Sequence, residues 1–256
     1  MREAGQRGAD VAVFHEAALT GYPLGMKKKD WSYIDWDELR AETQAIMALA
    51  AKLRLWTIVG SAHPLTGKKK PHNCLYAISA GGRLVERYDK RFCTGTDLAW
   101  YSPGDHFAVF EINGVRSGML ICYDVRFYEL YREYLKRGVR LMFHAFHNAR
   151  LRRGGGGIWR IIMRPTLQAM AAGNSMFISA PNSCARHQSW PGVFITPDGR
   201  IAGTHRIGQE GLIVNTVDLS RRYYDAPARW RDRALRGVLH SGRRVDDPRS
   251  RDRQNL

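Results

Sequence analysis

The chain has 256 residues, 44% of them hydrophobic and 25% charged, which suits one large core or at most two smaller ones. No apolar run reaches the roughly 18 residues of a membrane span, and the start, MREAGQRGADVAVF, has no apolar signal region, so neither a membrane anchor nor secretion is expected. The net charge is +16. Much of the excess sits between Arg221 and Arg253, where eleven arginines face five aspartates. That composition reads as a solvated basic tail over 221–256, with an RNA or acidic partner as the other reading. No RNA-recognition or zinc-finger pattern accompanies it, and Lys27-Lys28-Lys29 and Lys68-Lys69-Lys70 read as loop tips. Cys74, Cys93, Cys122 and Cys184 are scattered without a CxxC or a Cys/His ligand spacing. Neither a metal site nor a disulfide scaffold is indicated, and a reducing, cytoplasmic setting is expected.

In chain order, Val11–Phe14 is a short buried strand ending at His15-Glu16. Asp35 or Asp37 caps a helix over about 38–53. Leu55–Val59 is a second strand. Cys74–Ile78 and Arg83–Tyr88 flank Gly81-Gly82 as a hairpin and lead to Asp89-Lys90. Residues 91–104 read as an irregular loop. Phe107–Ile112 pairs through Asn113-Gly114 with the strand Val115–Ile121. A helix over 124–137 follows, with Phe127, Leu130, Tyr131, Tyr134 and Leu135 on its apolar face. Asp124 is its expected cap and Gly138 its stop. Arg140–Phe146 is a strand, Arg150–Gly157 a loop over a site, Trp159–Ala172 a helix and Ser175–Ala180 a strand. Val193–Ile195 and Arg200–Ala202 form a hairpin about Asp198-Gly199, and Gly211–Leu219 is the last strand expected. Helices and hairpins interleave, so the fold class is α/β with a mixed sheet.

Cys122 thus stands at a sharp strand-to-helix junction. Helix amides there carry partial positive charge, which predicts a thiol more acidic than usual. By itself a single cysteine is more often a small core residue. Glu16 and Lys90 share its kind of position, at or just past a strand end. A carboxylate, an ammonium and a thiol are the parts of acyl transfer by cysteine: a base, a cation for the oxyanion and a nucleophile.

The strings Val13-Phe14-His15-Glu16, Leu19-Thr20-Gly21-Tyr22, Tyr88-Asp89-Lys90 and Gly118-Met119-Leu120-Ile121-Cys122-Tyr123-Asp124-Val125-Arg126-Phe127 resemble the nitrilase superfamily of carbon-nitrogen hydrolases. Spacing agrees, with 74 residues from Glu16 to Lys90 and 32 from there to Cys122. The resemblance covers about residues 8–220. It implies a four-layer α-β-β-α sandwich over 1–220, with the Arg-rich segment 221–256 extended or in contact with another subunit. It implies hydrolysis of a small-molecule amide or N-carbamoyl compound through a thioester on Cys122. Glu16 would be the base, Lys90 the oxyanion partner, and the Tyr123 N–H a second donor. No organic cofactor or metal is implied, and a homodimer or larger homo-oligomer is.

Two departures qualify this. The family begins with one more strand, which this chain is expected to lack, Arg2–Arg7 being the stub of the helix that follows it. Asp97 stands where the family carries a second glutamate, and Gly173-Asn174 where it often has Glu-Asn. His144 and His147 are further candidates to meet a substrate carboxylate or carbamoyl group. Other readings are a catalytically impaired protein that keeps the fold for assembly, and an RNA-associated protein that uses the tail.

Overall fold

A computed structural model describes residues 1–26, 30–150 and 157–254. The Lys27-Lys28-Lys29 tip and residues 151–156 of the expected loop lie outside them. The chain divides into two compact units, Met1–Tyr224 and Asp225–Leu256.

The first unit is an α-β-β-α sandwich. Its elements in order are α1 (Arg2–Gln6), β1 (Val11–Val13), α2 (Trp36–Leu53), β2 (Trp56–His63), β3 (His72–Ile78), β4 (Leu84–Asp89), α3 (Asp97–Trp100), β5 (Val109–Ile112) and β6 (Val115–Ile121). A 3-10 turn, Cys122–Arg126, precedes α4 (Tyr128–Lys136), β7 (Leu141–Ala145), α5 (Gly157–Asn174), β8 (Phe177–Ala180), β9 (Val193–Ile195) and β10 (Ile201–Thr204). One sheet runs β1-β2-β3-β4 and the other β10-β9-β8-β7-β6-β5. Both are mixed: β1 is parallel to β2, and β6, β7 and β8 are parallel in succession.

Alternation along β3 shows how the layers form. Cys74, Tyr76 and Ile78 pack towards Ile46, Met47 and Ala50 of α2, while Leu75 and Ala77 join the main core. Successive strand side chains point to opposite faces, so one strand serves both layers. On the far side α4 lies against β6 at Gly118, where an added Cβ would sit 2.7 Å from the Tyr134 ring. The Tyr134 hydroxyl donates to the Met119 carbonyl at 2.7 Å. Met163, Leu167, Met170 and Ala171 of α5 bury in the same core.

Most expected elements appear, with three corrections. The helix expected over 124–137 begins later, because the chain first makes the 3-10 turn, and Asp124 does not cap α4. Instead its carboxylate accepts from the Ile121 and Phe92 amides. The loop 91–104 contains the single turn α3. Gly211–Leu219 lies in no ladder among the described residues. Asn215 lies against Gly203 of β10, where an added Cβ would be 2.4 Å from its Oδ1, but no ladder forms there. A groove of about 550 Å³ is lined by this segment and by β1, and Leu212 packs against the cluster that holds Ala12.

The second unit holds α6 (Ala228–Leu235) and α7 (Pro248–Arg251), neither with a buried residue. Asp225 pairs with Arg231 inside it, and Asp247 caps α7 by accepting from the Arg249 amide at 2.8 Å. No described helix is long and apolar enough to cross a membrane.

Candidate active site

Glu16 sits in the turn after β1. The Phe14 amide donates to the Ile58 carbonyl at 2.8 Å and the Leu19 amide to that of Gly60 at 3.0 Å, clamping the turn to β2. Between them Ala17 takes a left-handed φ of 53°. A Cβ on Gly60 would meet the His15 carbonyl oxygen at 2.4 Å and the Ala17 nitrogen at 2.6 Å. Only glycine lets the two backbones approach so closely.

Lys90 follows β4. Its amide donates to the Asn73 carbonyl at 2.8 Å, and its carbonyl accepts from the Gly104 amide at 2.9 Å. Its ammonium donates to Glu16 Oε1 at 2.8 Å and pairs with Asp97 Oδ2 at 2.9 Å. All three side chains are at most 1% exposed. Burying such charges costs several kcal/mol per ion unless other hydrogen bonds complete them. Here they do. Glu16 also accepts from Asn73 Nδ2 at 2.8 Å and from the His147 amide at 2.9 Å. Asp97 accepts from the Tyr22 hydroxyl and from the Thr94 amide at 2.8 Å. Burial works to lower the Lys90 pKa, but Glu16, Cys122 and Asp97 outweigh it and hold it well above the lysine range. Burial likewise works to raise Asp97, and Lys90 overrides it, so that carboxyl lies below its ordinary value.

Cys122 opens the 3-10 turn with φ 42°, a left-handed conformation that costs a non-glycine residue about 1–3 kcal/mol. The buried Asp124 carboxylate braces this turn. It accepts from the Ile121 amide at 3.0 Å, the Phe92 amide at 2.9 Å and the Tyr88 hydroxyl at 2.8 Å. It therefore ties the cysteine turn to the loop that follows Lys90. Burial pushes its pKa up to about 6.

The thiol itself departs from the sequence expectation. Burial, then the negative charges of Glu16 and Asp97, push its pKa up, and Lys90 only partly opposes them. Two carboxylates against one ammonium leave a net negative neighbourhood, which outweighs the helix amides. That direction favours the protonated thiol at rest. The sulfur accepts from Asn148 Nδ2 at 3.4 Å, and the His147 backbone N–H lies against it. That same N–H bonds Glu16, so thiol and carboxylate meet at one amide.

Cys122, His147 and Asn148 line a cavity of about 320 Å³ together with Tyr123, Arg126 and Trp159. Tyr123 reaches it with its ring edge-on to Phe127. The His147 ring stacks on Tyr22 with centroids 5.1 Å apart. Its Nδ1 is buried without a hydrogen-bond partner among the described residues, and burial lowers its pKa to about 4. The Arg126 guanidinium lies 4.3 Å over the Trp159 ring, with Nη2 3.5 Å from Met163 Sδ. No carboxylate pairs with it among the described residues. His144 is not in the cavity wall but beneath it, in the core.

The structure thus brings together Glu16, Lys90, Asp97, Cys122, Tyr123 and His147. It adds Asn73, Tyr22, Asn148 and Arg126, which sequence reasoning left without a role. Tyr22 and Arg126 stand within the strings that carry the resemblance, and Asn148 does not. Asn73 gives no signal, because its position depends on the β2–β3 register, which sets it opposite Ala62. No group of three or more acidic, histidine or cysteine side chains among the described residues is arranged to hold a metal ion.

The sequence matches the carbon-nitrogen hydrolase family over residues 1–224. The chain belongs to that family. Among carbon-nitrogen hydrolases it is 26% identical to the omega-amidase NIT2 of Homo sapiens, across 86% of this chain and 81% of that one. It is 29% identical to the 2-oxoglutaramate amidase of Bacillus subtilis (strain 168), across 55% of this chain and 53% of that one. The fold matches the amidase of Nesterenkonia sp. AN1 with a TM-score of 0.67 at 20% identity, covering 80% of this chain and 76% of the other. One structure of that enzyme shows the acetamide moiety of fluoroacetamide added covalently at the active-site cysteine.

Proposed function

We propose that this carbon-nitrogen hydrolase is an amidase that works through a thioester on Cys122, and that its substrates carry a carboxylate besides the amide. One observation supports it most directly. A thiol that lines the cavity lies within electrostatic reach of a buried carboxylate–ammonium pair, and the His147 amide links thiol to carboxylate.

The chemistry follows from those positions. The amide carbon enters beside Cys122. Glu16 accepts the thiol proton as sulfur attacks, which a thiol of raised pKa requires. Lys90 meets the negative charge that develops on the carbonyl oxygen, with the Tyr123 N–H as a second donor. Glu16 returns the proton to the departing nitrogen, the C–N bond breaks, and ammonia or an amine leaves. A water then loses a proton to Glu16 and adds to the thioester. Collapse releases the carboxylic acid, and the thiol regains its proton. Asp97 holds Lys90 together with Glu16.

The carboxylate is argued from Arg126. A guanidinium held against an aromatic face, without a counter-charge, in the same cavity as the nucleophile suits a substrate anion. Both the relative named 2-oxoglutaramate amidase and N-carbamoyl amino acids fit this pattern of one carboxylate and one scissile C–N bond.

Ammonia release from a panel of amides, ω-amides and N-carbamoyl amino acids tests the reading. Cys122→Ala is expected to abolish turnover and Cys93→Ala to retain it. Equal activity in the two variants overturns the mechanism. Arg126→Met keeps the apolar stem and should raise KM for carboxylate-bearing substrates by roughly 10–100-fold, the value of a charged hydrogen bond, and leave neutral amides unchanged.

A further inference from the structure

Beneath the cavity floor lies a second polar chain that the reaction does not touch. His144 is fully buried on β7, beside Leu120 in the β6–β7 register and two residues from the strand end that leads to Cys122. Its Nε2 lies 3.3 Å from the Cys122 carbonyl oxygen. Its Nδ1 lies 2.6 Å from the Tyr131 hydroxyl of α4. The ring stacks on Phe146, centroids 4.3 Å apart, and Phe146 meets Trp190 edge-on. A carbonyl can only accept, so Nε2 carries the proton and Nδ1 accepts from the tyrosine. Burial lowers the ring's pKa to about 3 and keeps it neutral.

We propose that His144 is a positioning residue: its Nε2–H grips the carbonyl of Cys122 and fixes the left-handed turn on which the nucleophile stands, with Tyr131 setting the tautomer. The need is physical. Cys122 holds φ at 42°, and such a conformation persists only when its surroundings over-determine it. Asp124 braces the turn after the cysteine by its carboxylate, and His144 braces the peptide that leaves it. Without the second brace the sulfur would move relative to Glu16 and Lys90, while the groups that bind substrate stayed in place. Histidine suits the position because the ring spans from an α4 hydroxyl to a backbone oxygen at the end of β6, a bridge no aliphatic side chain makes.

The inference rests on Cys122 being the nucleophile, and the experiment separates the two. Steady-state kinetics and the rate of Cys122 alkylation by iodoacetamide are measured in the wild type, His144→Phe, His144→Gln and Tyr131→Phe, with thermal unfolding of each. His144→Phe keeps the stacking and removes the donor, so kcat should fall roughly 100-fold, the loss expected for an ångström-scale misplacement, with KM within about twofold. His144→Gln places an amide N–H near the Nε2 position and should recover most of kcat. Tyr131→Phe should show a smaller kcat loss in the same direction. A variant lower in Tm but unchanged in kcat per folded molecule, or a glutamine no better than phenylalanine, overturns the positioning role and leaves the mechanism standing. Turnover that survives Cys122→Ala overturns both. If His144→Phe does not fold, His144→Gln and Tyr131→Phe decide the matter by the same split between kcat and KM.

Discussion

The raised pKa of Cys122 shapes everything at the residue scale. In the proposed mechanism a sulfur that rests as a thiol gains its nucleophilicity only as Glu16 takes the proton, so attack and proton transfer are coupled. Alkylation of Cys122 should therefore keep accelerating past about pH 9, where an ordinary cysteine levels off. A plateau near neutrality would mean a thiolate already formed and would remove the need for a base. Asp97 supplies a second residue-scale test. Asp97→Ala leaves Lys90 with one carboxylate and strips partners from the Tyr22 hydroxyl and Thr94 amide. Loss of about 2–3 kcal/mol of stability is expected from those unpaired buried groups, together with a kcat decrease of roughly 100-fold as Lys90 loses its lateral support. Asp97→Glu should recover part of the activity, since the charge returns one methylene further out.

Elements deliver these residues by close backbone approach. The Glu16 turn lies directly on β2 at Gly60, and the loop after Lys90 lies on Asp89 at Gly104, where an added Cβ would be 2.4 Å from the Asp89 carbonyl oxygen. Gly60→Ala must push the Glu16 turn off its seat, because both flanking atoms are backbone and cannot rotate away. Turnover should drop below detection even where the protein folds, and circular dichroism with kinetics checks this. Near-normal kcat would show that the Glu16 turn tolerates displacement. The same logic explains why the helix after Cys122 begins late. The 3-10 turn tightens the chain so that Asp124 reaches back to Ile121 and across to Phe92, a demand of the site that overrides α4's apolar periodicity.

For the whole molecule, two buried histidines set the acid side. His144 and His147 have folded pKa values lowered to about 3 and about 4 from 6.5. The unfolded chain binds their protons first, so their stabilising contribution is complete above pH 6.5 and is lost as pH falls through 6.5 towards 4. Urea unfolding between about pH 7 and pH 4 should show this decline, with a shallower slope in His144→Gln. An identical slope would assign the decline to other groups. The unit Asp225–Leu256 bears none of the residues placed in the candidate site. A chain ending at Tyr224 should keep the amidase kinetics, while any salt-dependent retention on RNA should vanish with the Arg-rich segment.

The sequence by itself determined the α/β class and most strands and helices, and it pointed to Glu16, Lys90 and Cys122 as the candidate acid, amine and thiol. Those follow from local pattern: apolar alternation, turn glycines, and strings specific enough to carry a resemblance. It also pointed to Asp97 as a companion of Lys90, without the Tyr22 hydroxyl that completes that carboxylate. Only tertiary structure decided the rest. The acidity of Cys122 depends on how many carboxylates the two sheets bring to one sulfur, and local helix amides predicted the opposite sign. Asn73 and His144 enter through strand register, and Arg126 through the stacking of one helix against another's turn. Gly211–Leu219 has the pattern of a strand but enters no ladder among the described residues.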